Sequence, residues 1–186
     1  IRSKRAAERV VLEDTSGPSV MVLRPPALYG PGEHRLVPLF RAALRGVVPT
    51  VHPDGTLSIL SGHDCAEAIA RVIEVEPEAR TLFLAEPKPY GRRQMAELVG
   101  EAVGKRVTVL PIPVPVLRAA AFGSELAGRL RDQPVAFTRD KVRDLAAPHQ
   151  SCDPSRAMEE LFWAPRDDFA SGAKTMVQAY RAKGWL

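Results

Sequence analysis

No apolar run in this sequence approaches the roughly 18 residues that a membrane-spanning helix requires. Cysteine is scarce: Cys65 and Cys152 stand far apart, which argues against a disulfide framework and leaves reduced core thiols as the expectation. The four histidines, His34, His52, His63 and His149, show no ligand spacing with one another or with cysteine. No zinc or other metal site is therefore expected. Charge of one sign is also missing, with 26 Lys and Arg against 22 Asp and Glu, a net +4. The basic residues are scattered and mostly interleaved with acids, with no aromatic-studded stripe, so no nucleic-acid partner is expected. No segment has the charged, apolar, small-residue order of a signal peptide. A cytoplasmic protein without a membrane partner is the expectation.

What is present is an ordinary globular composition over 186 residues, 45% hydrophobic and 26% charged, enough for a real core. Between Ser3 and Glu13, Ala6, Ala7, Val10 and Val11 recur at helical spacing. That pattern is already running at Ser3, so the helix is expected to begin upstream of Ile1. TSGPS at 15–19 breaks it, and VMVL at 20–23 has the continuous apolar character of a strand buried on both faces. Pro25 and Pro26 end that strand, and YGPG at 29–32 is a loop by composition. A helix follows with Leu36, Leu39, Phe40, Ala43 and Leu44 on one face. LSIL at 57–60 and TLFLA at 81–85 read as strands, with a helix between them that Asp64 caps and Glu67 supports at N3. Further helices are expected at 92–103, 114–131, 139–146, from CDPS onward, and near 168–183, with a strand at VTVLPIP. Strands alternating with helices define an α/β architecture. Too few strands precede residue 60 for a complete doubly wound sheet, so the first half of a fold is expected to be absent.

Three stretches recur in a fixed order: S-K-x-x-A-E at 3–8, R-P-P-A-L-Y-G-P-G at 24–32, and C-D-P-S-R-A at 152–157 with W-x-P at 163–165. Together they resemble the extended short-chain dehydrogenase/reductases, the NAD-dependent epimerase/dehydratase family, over essentially the whole chain as the C-terminal half of such an enzyme. The resemblance implies the C-terminal part of a Rossmann-type doubly wound parallel sheet plus a smaller mixed α/β substrate domain. Residues 1–33 and 57–86 would belong to the dinucleotide-binding domain, and 34–56 and 87–186 to the substrate domain. The family's Tyr-x-x-x-Lys signature aligns its lysine with Lys4 and its preceding serine with Ser3, which would place the tyrosine directly before Ile1. The glycine-rich nucleotide loop would also lie upstream. Neither GEHRLV nor GKRVTV follows a strand and opens a helix with glycines at the required offsets.

The chemistry explains the spacing. Residues four apart share a helix face, so phenol and ammonium stand side by side. A free phenol titrates near about 10, and an adjacent cation lowers that by some units, a shift of roughly three being about 4 kcal/mol. The resemblance implies that Lys4 also binds the nicotinamide ribose, that Pro25, Pro26 and Leu28 face the cofactor, NAD or NADP, and that Ala27 and Arg35 approach the substrate. It further implies a homodimer. Two rival readings stay open: Arg35 as a solvated helix-start residue, and YGPG as a plain tight turn.

Other marks read as structural. Asp153 and Pro154 fit an N-cap and a first helical residue; Trp163, Tyr180 and Trp185 fit anchors for the C-terminal helices. Phe162 stands where the family has glycine, a left-handed helix stop that costs a non-glycine residue on the order of 1 kcal/mol, and a locally rebuilt cap is one way to avoid it. Ser61-Gly62-His63-Asp64 replaces the family's His-Val-Asp-Asp. The apolar stretch after LPIPVPVL, followed by Thr-Arg-x-Lys-Val, resembles the 3β-hydroxysteroid dehydrogenase branch. The implied activity is hydride transfer between a nicotinamide and a carbinol carbon of a sugar nucleotide or a steroid-like alcohol, with the isolated chain inactive. The alternative is a non-catalytic nucleotide-sensing or assembly protein of the same fold.

Overall fold

Pro25 and Pro26 offer no backbone N–H, and the strand that enters them stops at Arg24. The computed structural model describes residues 2–13, 20–131 and 138–186; the break expected at 15–19 lies outside them. Helix α1 (Arg2–Glu13) is followed by β1 (Val22–Arg24) and β2 (Ala27–Tyr29). A 3-10 turn (His34–Leu36), α2 (Val37–Leu44), β3 (Val47–Thr50), β4 (Thr56–Leu57) and β5 (Ile59–Ser61) come next. Then come α3 (Gly62–Val75), β6 (Thr81–Phe83), β7 (Tyr90–Gly91), α4 (Arg92–Val103), β8 (Thr108–Pro111) and α5 (Val114–Arg131). The chain ends in α6 (Arg139–Leu145), β9 (His149–Gln150), α7 (Ser155–Glu160) and α8 (Phe169–Ala182).

The strand pairs β1–β6, β2–β5 and β3–β8 are parallel, and β4 pairs antiparallel with β7 and parallel with β9. This is the α/β architecture of parallel sheet pieces and helices read from the sequence. Several details differ. The chain resumes extended pairing at Ala27 immediately after the prolines, so Tyr29 belongs to a strand and not to the loop. LSIL is divided at Ser58, because Leu57 pairs in one sheet and Ile59 in another. Ser58 is buried at that crossing, where its hydroxyl accepts the Cys152 N–H at 3.1 Å. β1 is only half-buried along its length, not enclosed on both faces.

Two apolar clusters hold the elements together. One joins α2, β3, α4 and α8 through Phe40, Val48, Val99, Phe169, Met176 and Tyr180. Tyr180 meets Phe40 edge-to-face with centroids 5.3 Å apart, and Trp185 packs on Tyr180. The other joins β6, α3 and α7 through Leu60, Leu82, Leu84, Leu161 and Trp163. Full burial of each large side chain is worth about 1.5–3 kcal/mol. The anchoring expected of Trp163, Tyr180 and Trp185 is thus divided between two cores.

The helix ends correct two capping expectations. Ser61, not Asp64, caps α3: its hydroxyl accepts the Asp64 N–H at 2.9 Å. Asp64 sits at N3, fully buried, and receives the Ser61 hydroxyl and the N–H groups of Arg166 and Asp167. A carboxylate can accept several donors at once, so it ties the 166–167 segment to α3. Asp153 accepts the Ser155 N–H and hydroxyl one residue outside α7, with Pro154 at the cap position. The cap after α7 is not rebuilt. Phe162 is left-handed at φ 46, its N–H donates to Glu159 O, and the Trp163 N–H donates to Met158 O. That is a Schellman motif with phenylalanine in the glycine position.

Candidate active-site edge

α1 makes polar contacts to both ends of the β1–β6 pair. Near its C-terminus, the Leu12 carbonyl accepts from the Arg80 guanidinium at 3.4 Å, beside the first paired residues Val22 and Thr81. One turn earlier, the Glu8 carboxylate accepts from the Arg24 guanidinium at 2.6 Å, at the last residue of β1. Helix α1 therefore runs opposite to the strands. At a rise of about 1.5 Å per residue, Lys4 lies roughly 6 Å beyond Glu8 on the same helix face. This directs the first turn toward the carboxyl ends of the strands, where open α/β sheets bind ligands.

Pro25–Leu28 leave the same edge. Pro25 and Ala27 are exposed, and Pro26 and Leu28 half-buried. Lys4 is exposed and makes no hydrogen bond or ion pair among the described residues. Arg35 is exposed and engaged: its guanidinium donates to both Glu33 oxygens at 2.9 and 2.6 Å. The pair holds the Glu33 carboxyl down to about 2, chiefly through the Arg35 hydrogen bond, and Glu33 also caps the 3-10 turn. The structure thus brings Lys4 and 25–28 to one edge, whereas Arg35 sits farther along the loop in a local ion pair.

Beyond Leu28 lies a cavity of about 680 Å³ between the YGPG loop and the N-terminal ends of α3 and α8. Leu28, Tyr29, Glu33, Ser61, His63 and Ser171 help line it. Behind it, Glu86 is buried and accepts the Tyr29 hydroxyl at 3.0 Å and the Tyr90 hydroxyl at 2.7 Å. Tyr90 in turn accepts the Phe169 N–H, which joins this network to the start of α8. Burial raises the Glu86 carboxyl, and burial together with the Glu86 charge raises both phenols, Tyr90 to about 12. Tyr180, the third tyrosine of the chain, is pushed up to about 12 by burial. All three phenols are therefore kept neutral, the opposite of what a phenolate base needs. The Glu86 network was not apparent in the sequence, because Tyr29 and Glu86 are 57 positions apart.

His63 approaches Asp167 at 4.0 Å, with Asp64 next to both. The sequence spacing of the histidines did not anticipate this grouping. Asp64 is already occupied by donors from Ser61, Arg166 and Asp167, which accounts for it as a structural joint. Cys65 and Cys152 are both free thiols. Among the described residues, no helix is long and apolar enough to cross a membrane.

No family model matches the chain. It is similar to the ceramide reductase of Caulobacter vibrioides, 27% identical over 187 residues, covering 99% of this chain and 57% of that protein. It is also similar to 3beta-hydroxysteroid-dehydrogenase/decarboxylase isoform 1 of Arabidopsis thaliana, 26% identical over 197 residues, covering 96% and 44%. The solved structure of DesIV, a dTDP-glucose 4,6-dehydratase from Streptomyces venezuelae with NAD and TYD bound, shares the fold at TM-score 0.68 and 21% identity. The likeness covers 100% of this chain and 52% of that one. The chain spans about half the length of the curated relatives it matches. With its motifs in register and sequence matches running nearly end to end, the chain is similar to the extended short-chain dehydrogenase/reductases.

Proposed function

We propose that this chain forms the carboxyl-edge and substrate-side part of an NAD(P)-dependent oxidoreductase acting on a lipophilic alcohol or ketone. The supporting observation is the course of α1, which carries Lys4 toward the edge where Pro25–Leu28 emerge. A nicotinamide cofactor held by Lys4, Pro25, Pro26 and Leu28 would supply or take the hydride at the carbinol carbon. Lys4 holds the ribose and lowers the pKa of a phenol that delivers or removes the hydroxyl proton. By the Tyr-x-x-x-Lys register that phenol is assigned to the position four residues before Lys4, and the chain alone is expected to be inactive. Pro25, Pro26 and Leu28 are assigned to the cofactor side and Ala27 to the substrate. Arg35 could reach a substrate only by leaving Glu33.

The division proposed is 1–33 and 57–86 on the nucleotide side, with 34–56 and 87–186 on the substrate side. The lipophilic assignment draws on the matches to a ceramide reductase and a 3β-hydroxysteroid dehydrogenase, and on the apolar face of α5. The test supplies the full-length protein with reduced cofactor, NADH or NADPH carrying two deuteriums at C4 of the dihydronicotinamide, and a long-chain ketone. Deuterium on the product carbinol carbon is expected; solvent hydrogen there, or no reduction, would overturn the reading.

A further inference from the structure

The outward side of α5 is unlike that of any other helix described. At 100° per residue, Pro115, Val116, Ala119, Ala120, Phe122, Gly123, Leu126 and Ala127 share a continuous arc of roughly 160° without a charge. All are exposed, with Val116 at 56%, Phe122 at 58% and Leu126 at 49%. The opposite side carries Leu117, Ala121 and Ser124, with Ala121 buried, and the helix packs on α6. Among the described side chains, two charges border the arc. Glu125 is neutralised by Arg139 of α6, which donates through its backbone N–H at 2.7 Å and its guanidinium at 2.8 Å. Arg118 is exposed and has no ion-pair partner among the described residues. Lys141 is likewise exposed and unpaired on α6, beside the Arg143–Asp140 pair.

We propose that this face of α5 lies on the surface of a bilayer containing anionic lipid, with Phe122, Leu126 and Val116 entering the headgroup–acyl boundary. The proposal rests on the reading of a lipophilic substrate, for which it supplies the route of entry. It departs from the sequence expectation of no membrane partner, which considered spanning segments only. A second copy is the weaker occupant. Thirteen helical residues give a strip of about 20 Å by 10 Å, roughly 200 Å², whereas a stable interface needs about 800 Å² per partner. A partner protein has no charge pattern to read on an uncharged arc. A lipid surface needs none: an apolar face bordered by a basic residue is what an interfacial helix presents, and each unpaired cation strengthens attachment to anionic headgroups.

The test is sedimentation of the protein with phosphatidylcholine vesicles, with and without phosphatidylglycerol. Binding to the phosphatidylglycerol vesicles is expected, weakened roughly tenfold or more by F122D/L126D and severalfold by R118Q or by raised salt. Phe122→Trp gives an independent readout, a blue-shifted emission on adding vesicles. Circular dichroism of the variants, whose altered residues are solvent-exposed, reports that the fold is retained. Failure of the unaltered protein to bind either vesicle, or F122D/L126D binding as tightly as the parent, would overturn the proposal. So would concentration-dependent dimers, dissolved by the same variant, in place of vesicle binding. None of these readouts needs turnover, so a failed deuterium-transfer assay with intact vesicle binding would reject the enzymatic reading alone.

Discussion

The Glu8 carboxylate lies 2.6 Å from the Arg24 guanidinium, which itself sits 5.2 Å over the ring of Phe83. This contact fixes α1 against the end of β1, and Lys4 is one turn further on the same helix. A partly exposed pair contributes at most about 1 kcal/mol to stability. Its larger effect is on position, since a displacement of an ångström at a reacting centre can cost about 100-fold. Glu8→Gln is therefore expected to leave the melting temperature nearly unchanged while lowering kcat of the full-length enzyme at least about tenfold. Equal kcat for both proteins would show that the pair does not position Lys4.

Gly172 of α8 is where Tyr29 crosses the helix. A Cβ there would lie 2.3 Å from Tyr29 Cε2, inside any real contact distance. Gly172→Ala must displace the ring that donates to Glu86, and overpacking of this kind costs about 1–3 kcal/mol. Urea unfolding should show a lower midpoint with an unchanged slope. A midpoint equal to that of the parent would mean that the ring has free space to move into.

At Phe162 the opposite sign is expected. The residue is 79% exposed and left-handed, so its side chain contributes little packing while its backbone is strained. Phe162→Gly should raise stability by about 1 kcal/mol, less the greater freedom glycine has in the unfolded chain. Phe162→Ala, which keeps the Cβ, should not. A calorimetric comparison of the three proteins separates backbone relief from loss of the ring.

Two of the perturbed glutamates make opposing pH predictions. Glu33 has a depressed pKa, so its stabilisation is present above the ordinary value of 4.5 and is lost as the pH falls toward about 2. The deficit of Glu33→Gln should thus disappear on acidification. Glu86 has a raised pKa, so its contribution is full below 4.5 and declines as the pH rises through the raised value. The deficit of Glu86→Gln should shrink as the pH rises. Unfolding midpoints of both variants across this range check the two slopes, and slopes of the same sign would contradict the assignment.

Long amphipathic segments were the most legible part of the fold. The helices at 92–103 and 114–131 have the limits their periodicity indicates; Gly104 stops the first, and Pro113 and Pro115 stand where the second opens. Short strands were less so: β3 includes Pro49, and β7 and β9 are two residues each, defined only by partners remote in sequence. At the candidate site, Lys4 and 25–28 were legible as motifs. The Glu86 network and the Glu8–Arg24 contact were not, since each depends on how separate elements meet. Asp64 was given the wrong task for a related reason. Its partners Arg166 and Asp167 lie about a hundred residues on, and a local pattern favours the cap.

The most direct measurement is the rate of hydride transfer by the full-length enzyme carrying Lys4→Met, with nicotinamide saturating and the circular dichroism spectrum unchanged. Loss of the ammonium proposed to stand beside a catalytic phenol is expected to lower kcat by about 10²–10⁴-fold and to move the basic limb of the pH profile upward. A kcat within twofold of the parent would contradict the account, because Lys4 would then be a solvated helix residue and nothing more.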